Sequence, residues 1–143
     1  MNVIADVSDS ALQRAATQLG DALMAEHLTL CTAESCTGGW IAKILTDIPG
    51  SSAWFEAGYV TYSNRQKTRQ LGVAEGLFAE VGAVSREVVE AMVRGACQHS
   101  SARFGVAVSG IAGPDGGTAD KPVGTVWLAW ADGEQLFSLR RQF

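Results

Sequence analysis

The sequence predicts an α/β fold, a three-layer α/β/α sandwich around a mixed, mostly parallel sheet. Three observations carry this. Stretches of strand-like and helix-like periodicity alternate along the chain, and two closing apolar runs around Asp132-Gly133 have the pattern of an antiparallel hairpin, which makes the sheet mixed. The chain, 143 residues with 47% hydrophobic content, can also bury a real core without metals or disulfides. One domain spanning residues 1–143 is expected.

Each element follows from its local pattern. Residues 8–27 place Leu12, Ala15, Ala16, Leu19, Ala22 and Leu23 on one stripe of an amphipathic surface helix, with Gln, Arg, Asp and Glu opposite. Leu28–Ala33 reads as a short buried strand that runs into a serine, a threonine and two glycines. Trp40, Ile41, Ile44 and Leu45 then resume helical spacing until Pro49-Gly50 stops it. Phe55–Tyr62, aromatic and alternating, is a second strand, followed by a short polar helix that carries Lys67. Ser85 caps a helix running to about Cys97, with Val88, Val89, Met92, Val93 and Ala96 inward. Phe104–Ser109 is a third strand, ending in the glycine-rich loop 110–124, the longest structureless piece of the chain. Val123–Ala131 and Gln135–Leu139 form the hairpin.

Composition narrows the function. No apolar run approaches the ~20 residues needed to cross a bilayer, and the segment MNVIADVSDS has no basic region followed by an apolar one, so neither export nor membrane insertion is expected. Cys31, Cys36 and Cys97 form an odd set without a CxxC pair, which suits a reducing, cytoplasmic compartment better than disulfides or zinc. Eleven Lys and Arg against fifteen Asp and Glu, with no basic run longer than Arg140-Arg141, leave no footprint for nucleic acid. A small anion held by backbone amides is still compatible with that charge.

Chemistry is expected beyond the carboxyl ends of the strands, where Ser35–Gly39 and Ser109–Gly117 are the richest segments in glycine and hydroxyl groups. A serine at a strand-to-helix turn is placed for nucleophilic attack, with the amides of Cys36 through Gly39 available to an oxyanion and Gly38-Gly39 allowing close approach. Ser35 or Thr37 reads equally well as the cap of the following helix. His27 and His99 fall at helix ends distant from this turn, so a Ser-His-Asp triad is not expected. The base on offer is Lys67, which must be neutral to act, through burial or a neighbouring cation such as Arg65; a solvated lysine is the plain alternative. Cys36, at a helix N-terminus, is a second possible nucleophile or simply packs. Glu34, Asp115 and Asp120 lack partners at ligand spacing, so no metal is expected. Trp40 and Trp54 read as core and lid packing.

Three segments in order, TAESCTGGWIAKILTDIPGSSAWFEAGYVTYSNRQK, GAVSREVV and SGIAGPDGGTADKPVGTVWLA, closely resemble the CinA C-terminal domain family over roughly residues 10–131. The resemblance implies hydrolysis of the carboxamide of nicotinamide mononucleotide to nicotinate mononucleotide and ammonia, without a cofactor. It implies Ser35, Tyr62 and Lys67 as the catalytic set: Ser35 attacks, Lys67 takes its proton, and Tyr62 orients the pair or relays a proton. Backbone amides around Thr37, Gly38 and Gly39, next to Cys36, would hold the oxyanion. The turn of Gly110, Ala112, Gly113 and Pro114, with Gly116-Gly117, would line the nucleotide site.

A homo-oligomer, dimer or higher, and a small nucleotide as the partner are expected on the same ground. Relatives usually continue past the last strand into another helix, so a chain shortened at its C-terminus is also expected. The alternative is a nucleotide-binding regulatory module without catalysis, since family members are also fused to another domain and linked by name to competence and DNA damage. Lys67 with Tyr62 separates the readings, because a binding turn needs neither.

Overall fold

The computed structural model describes residues 6–143; residues 1–5, part of the segment read above for a leader, lie outside the described residues. The elements are α1 (Asp9–Ala25), β1 (Leu30–Glu34), α2 (Trp40–Thr46), β2 (Phe55–Val60), α3 (Asn64–Leu71), α4 (Glu75–Val81), α5 (Arg86–Ser100), β3 (Phe104–Gly110), β4 (Thr125–Asp132) and β5 (Gln135–Gln142), with a single 3₁₀ turn at Ser51–Ala53. Among the described residues no helix is long and apolar enough to cross a membrane.

The strands form one mixed sheet in the order β2-β1-β3-β4-β5. β1 pairs in parallel with β2 and β3, whereas β3–β4 and β4–β5 are antiparallel. The closing hairpin thus brings the antiparallel ladders level with the parallel ones. Its turn is Gly133-Glu134, since Asp132 pairs with Gln135, and Arg103 fixes it through a 2.8 Å ion pair to Asp132.

Chain direction decides where the helices lie. From β1 the chain moves outward to β2 through α2, and from β2 it returns past β1 to β3 through α3, α4 and α5. Right-handed crossovers in opposite directions put their helices on opposite faces, giving the expected three layers. On one face, Cys31, Ala33, Ala107, Ala129 and Ala131 of the sheet pack with Leu71, Val73 and the inner side of α5. Val88, Val89, Met92, Val93 and Ala96 are all fully buried there, each large side chain contributing about 1.5–3 kcal/mol. On the other face Ala16, Leu23, Leu30, Leu45, Ile48 and Trp54 form a smaller cluster.

Several sequence expectations shift. The buried line of α1 is Ala16, Gly20 and Leu23, while Ala15, Leu19 and Ala22 are exposed, because the helix meets the sheet along one narrow line. Trp54 is core, but Trp40 is 59% exposed. α4 was not expected at all. Cys31 and Cys97 meet across the core with their sulfurs 3.7 Å apart as thiols.

Candidate active site

β1 leaves toward β2 and β3 leaves toward β4, so the crevice between the carboxyl ends of β1 and β3 is the switch point at which open α/β sheets bind ligands. Ser35 follows β1 directly, and its amide donates to Val108 O of β3 at 3.0 Å. Gly110 ends β3, and a side chain added there would lie 3.1 Å from Cys36 Sγ. The two glycine- and hydroxyl-rich segments therefore adjoin.

Successive strand residues point to opposite faces, and this separates two neighbouring functional groups. Cys31 and Ala33 face α5, whereas the carboxylate of Glu34 reaches the helix α2. Ser35 then turns back toward α3. There Lys67 Nζ donates to Ser35 Oγ at 2.9 Å, to Thr61 O at 2.9 Å and to Tyr62 O at 3.1 Å. Ser35 is 7% exposed and Lys67 only 1%.

Lys67 is carried inward because Ser63 caps α3, accepting from the Gln66 amide at 3.2 Å, which points the first turn at β1. The four-carbon stem crosses buried space beside Leu71 and Thr61. Burial holds the Lys67 ammonium below the ordinary lysine value of 10.5, with the nearby Cys36 sulfur acting the other way. Arg65, expected to assist, is exposed and is not among the causes. The geometry satisfies both protonation states. An ammonium has three donors for the three oxygens, and a neutral amine gives its two N–H groups to the carbonyls and turns its lone pair to the Ser35 hydroxyl.

Tyr62 enters this cluster through its backbone carbonyl, which also lies 3.5 Å from Ser35 Oγ. Its phenol points outward, the residue being 69% exposed. His27 and His99 are both exposed and take no part in the Ser35–Lys67 cluster.

The hydrogen bonds of the turn 35–39 show which residue caps α2. α2 begins after Gly39, whose φ of 100° belongs to the left-handed region and which offers no side-chain cap. The cap comes from Glu34, a residue that sequence reasoning considered only as a metal ligand. Its carboxylate, 1% exposed, accepts from the Ile41 amide at 2.8 Å, the Ala42 amide at 3.0 Å and the Thr37 hydroxyl at 2.6 Å. Ser35 is thereby left out of capping. The Thr37 side chain holds the carboxylate.

The amides of the turn divide as well. Gly38 N donates to Ser35 O and Trp40 N to Thr37 O, both at 3.1 Å. Among the described residues the amides of Cys36, Thr37 and Gly39 donate to no protein acceptor. An oxyanion beside Ser35 would thus meet Cys36 N and Thr37 N, and the Gly38 amide expected to help is already engaged. Cys36 itself departs from the helix-terminus expectation: burial, followed by the Glu34 charge, pushes its thiol up, because the terminus of α2 already holds a carboxylate.

The loop 111–124 is tied down at its base and along its length. The Ile111 amide donates to Thr125 O at 2.9 Å, and the Gly124 amide donates to Ile111 O at 2.8 Å. Lys121 Nζ donates to Val81 O and Arg140 to Asp120 O, each at 2.6 Å. Ala112 and Pro114 are exposed, and Gly113 packs against Val123.

A three-layer α/β domain in which a buried amine touches a serine at a strand-to-helix turn has an arrangement suited to hydrolysis. The comparisons with known proteins place the chain beside hydrolases. The chain belongs to the CinA C-terminal domain family, whose model matches residues 12–143. It is 71% identical over 128 residues to "Nicotinamide-nucleotide amidohydrolase PncC" of Pseudomonas putida, covering 90% of this chain and 80% of that protein. A protein of the same name from Escherichia coli strain K12 is 56% identical over 125 residues, covering 87% of this chain and 76% of the relative. The solved structure of the competence/damage inducible protein CihA from Agrobacterium tumefaciens matches with a TM-score of 0.90 at 43% identity, over 95% of this chain and 82% of that one.

Proposed function

We infer that this chain is a nicotinamide-nucleotide amidohydrolase, hydrolysing the carboxamide of nicotinamide mononucleotide to nicotinate mononucleotide and ammonia. The observation that carries the mechanism is the contact of Lys67 Nζ with Ser35 Oγ at 2.9 Å, with both side chains buried. The high identity to amidohydrolases over most of the chain supports the substrate.

Neutral Lys67 takes the hydroxyl proton as Ser35 Oγ attacks the amide carbon, and the resulting oxyanion faces the amides of Cys36 and Thr37. The Lys67 ammonium then gives its proton to the departing nitrogen, which leaves as ammonia. Lys67, neutral again, draws a proton from water as that water attacks the ester of Ser35, releasing nicotinate mononucleotide and restoring the hydroxyl. No metal or cofactor is needed for any proton in this cycle. Tyr62 orients the pair through its carbonyl, and its exposed phenol stands at the rim for the bound nucleotide. Gly110, Ala112, Gly113 and Pro114 border the same crevice as the nucleotide side of the site.

The same reading makes the protein a cytoplasmic enzyme of pyridine-nucleotide recycling, working as one domain, with a small nucleotide and no nucleic acid as its partner, and as a dimer or higher homo-oligomer. The test is ammonia release from nicotinamide mononucleotide without added metal, in wild type and Ser35→Ala. Near-normal turnover in Ser35→Ala removes the nucleophile assignment. Binding of the mononucleotide by calorimetry with no product returns the regulatory-module alternative.

A further inference from the structure

Glu34 is the one buried carboxylate of the catalytic turn, and nothing in the reaction scheme uses it. A capping serine or asparagine at position 39 would serve α2 at far less desolvation cost. Position 39 excludes one. Its backbone is in the left-handed region, and a side chain there would lie 3.1 Å from Val60 Cγ2. The cap must come from elsewhere, and here it comes from the residue covalently joined to Ser35.

This choice closes a ring. The Glu34 carbonyl is held by the Thr61 amide at 2.9 Å, just past the strand that leads to Lys67. Its carboxylate reaches forward to Thr37 within the turn and to Ile41 and Ala42 beyond it. Ser35 and Cys36 lie on the short span between the two ends of the brace. Movement of the Cys36–Thr37 peptide therefore requires breaking a charged hydrogen bond in a buried site, which is stronger than a neutral one.

We propose that Glu34 is a positioning residue for the oxyanion site: its carboxylate sets the direction of the Cys36 and Thr37 amides. The inference rests on the amidase reading. It concerns kcat, because the oxyanion exists only in the transition state while the ground-state nucleotide makes its contacts elsewhere.

The experiment compares wild type, Glu34→Gln, Glu34→Ala and Thr37→Val for ammonia release from nicotinamide mononucleotide, with melting temperatures and with the rate at which a sulfonyl fluoride labels Ser35. Glu34→Gln places an NH2 group against an amide donor and is expected to lower kcat about 10–100-fold, the range seen when an outer-shell partner of a functional group is removed, with KM nearly unchanged. Thr37→Val keeps both bonds to α2 and loosens only the turn, so it lowers kcat and the labelling rate without lowering the melting temperature. Formate, small enough to refill the α2 terminus, restores part of kcat in Glu34→Ala. The proposal is overturned if Glu34→Gln and Thr37→Val keep wild-type kcat and labelling rate, or if kcat falls only in proportion to the folded fraction. A wild type that labels at Ser35 but releases no ammonia removes the amidase reading, and the labelling rates of the variants then decide the role of Glu34.

Discussion

The turn 35–39 and the loop 111–124 both follow a sheet strand, both are rich in glycine, and both border the same crevice, yet they are held by opposite means. The turn is braced by Glu34 and Lys67, two ionisable groups almost wholly buried. The loop is pinned by half-buried Lys121 and exposed Arg140, which reach backbone carbonyls. Groups removed from water interact strongly and cannot be exchanged for solvent, whereas exposed ones have water as a substitute. The proposed chemistry sits in the braced turn, and substitutions should divide along the same line.

The largest effect is expected at Lys67. Lys67→Met fills similar volume without a base, and kcat should fall by about 10²–10⁴-fold, the usual contribution of a positioned general base. The pH profile checks the same assignment. Because burial lowers the Lys67 value below 10.5, kcat/KM should rise with pH along a limb whose midpoint lies below that value. The limb should vanish in Lys67→Met. Stability moves the same way: the unfolded chain binds this proton more tightly, so the free energy of unfolding rises with pH between the folded value and the ordinary lysine value. A flat profile would break the assignment of Lys67 as base.

Gly39→Ala comes next. An alanine there occupies a φ of 100° and meets Val60 at 3.1 Å, at a cost of about 1–3 kcal/mol for a strained backbone residue. Thermal unfolding measures the loss. The strain falls between Thr37 and Ile41, so kcat should drop together with the melting temperature. Unchanged kcat in the destabilised variant would mean that the turn tolerates movement, contrary to its buried bracing.

How far each region could be read in the sequence follows from the range of the interactions that hold it. The inner face of α5 was legible because Val88, Met92 and Ala96 recur at helical spacing and point at one layer. α4 was not, having no side-chain cap at Ala74 and no fully buried residue. Ser35 and Lys67 could be named, but their contact depends on β1 and β2 pairing side by side, which a local pattern does not contain. The phenol of Tyr62 was expected in the cleft. The chain has left the strand after Val60, so alternation no longer governs its direction, and it is the carbonyl that turns inward. Glu34 was missed because its partners stand seven and eight residues downstream, whereas a local cap bonds two or three residues ahead. Strand alternation alone could have assigned its side chain to the α2 face.

The smallest effect is expected in the loop. Lys121→Ala removes the bond to Val81 O and frees the segment around Thr118 and Asp120 from the end of α4. A half-exposed hydrogen bond of this kind contributes about 0.5–1.5 kcal/mol, and water can replace the lost donor at Val81. The Ser35–Lys67 contact and the Glu34 brace share no partner with Lys121, so kcat should stay close to wild type. If the loop borders the nucleotide side of the crevice as proposed, a less ordered loop must be ordered again when substrate binds. KM should therefore rise by a few fold at unchanged kcat, the reverse of the pattern expected for Glu34→Gln. A large fall in kcat on Lys121→Ala would show that the loop is coupled to the chemistry, and that surface pinning and buried bracing act on one shared element.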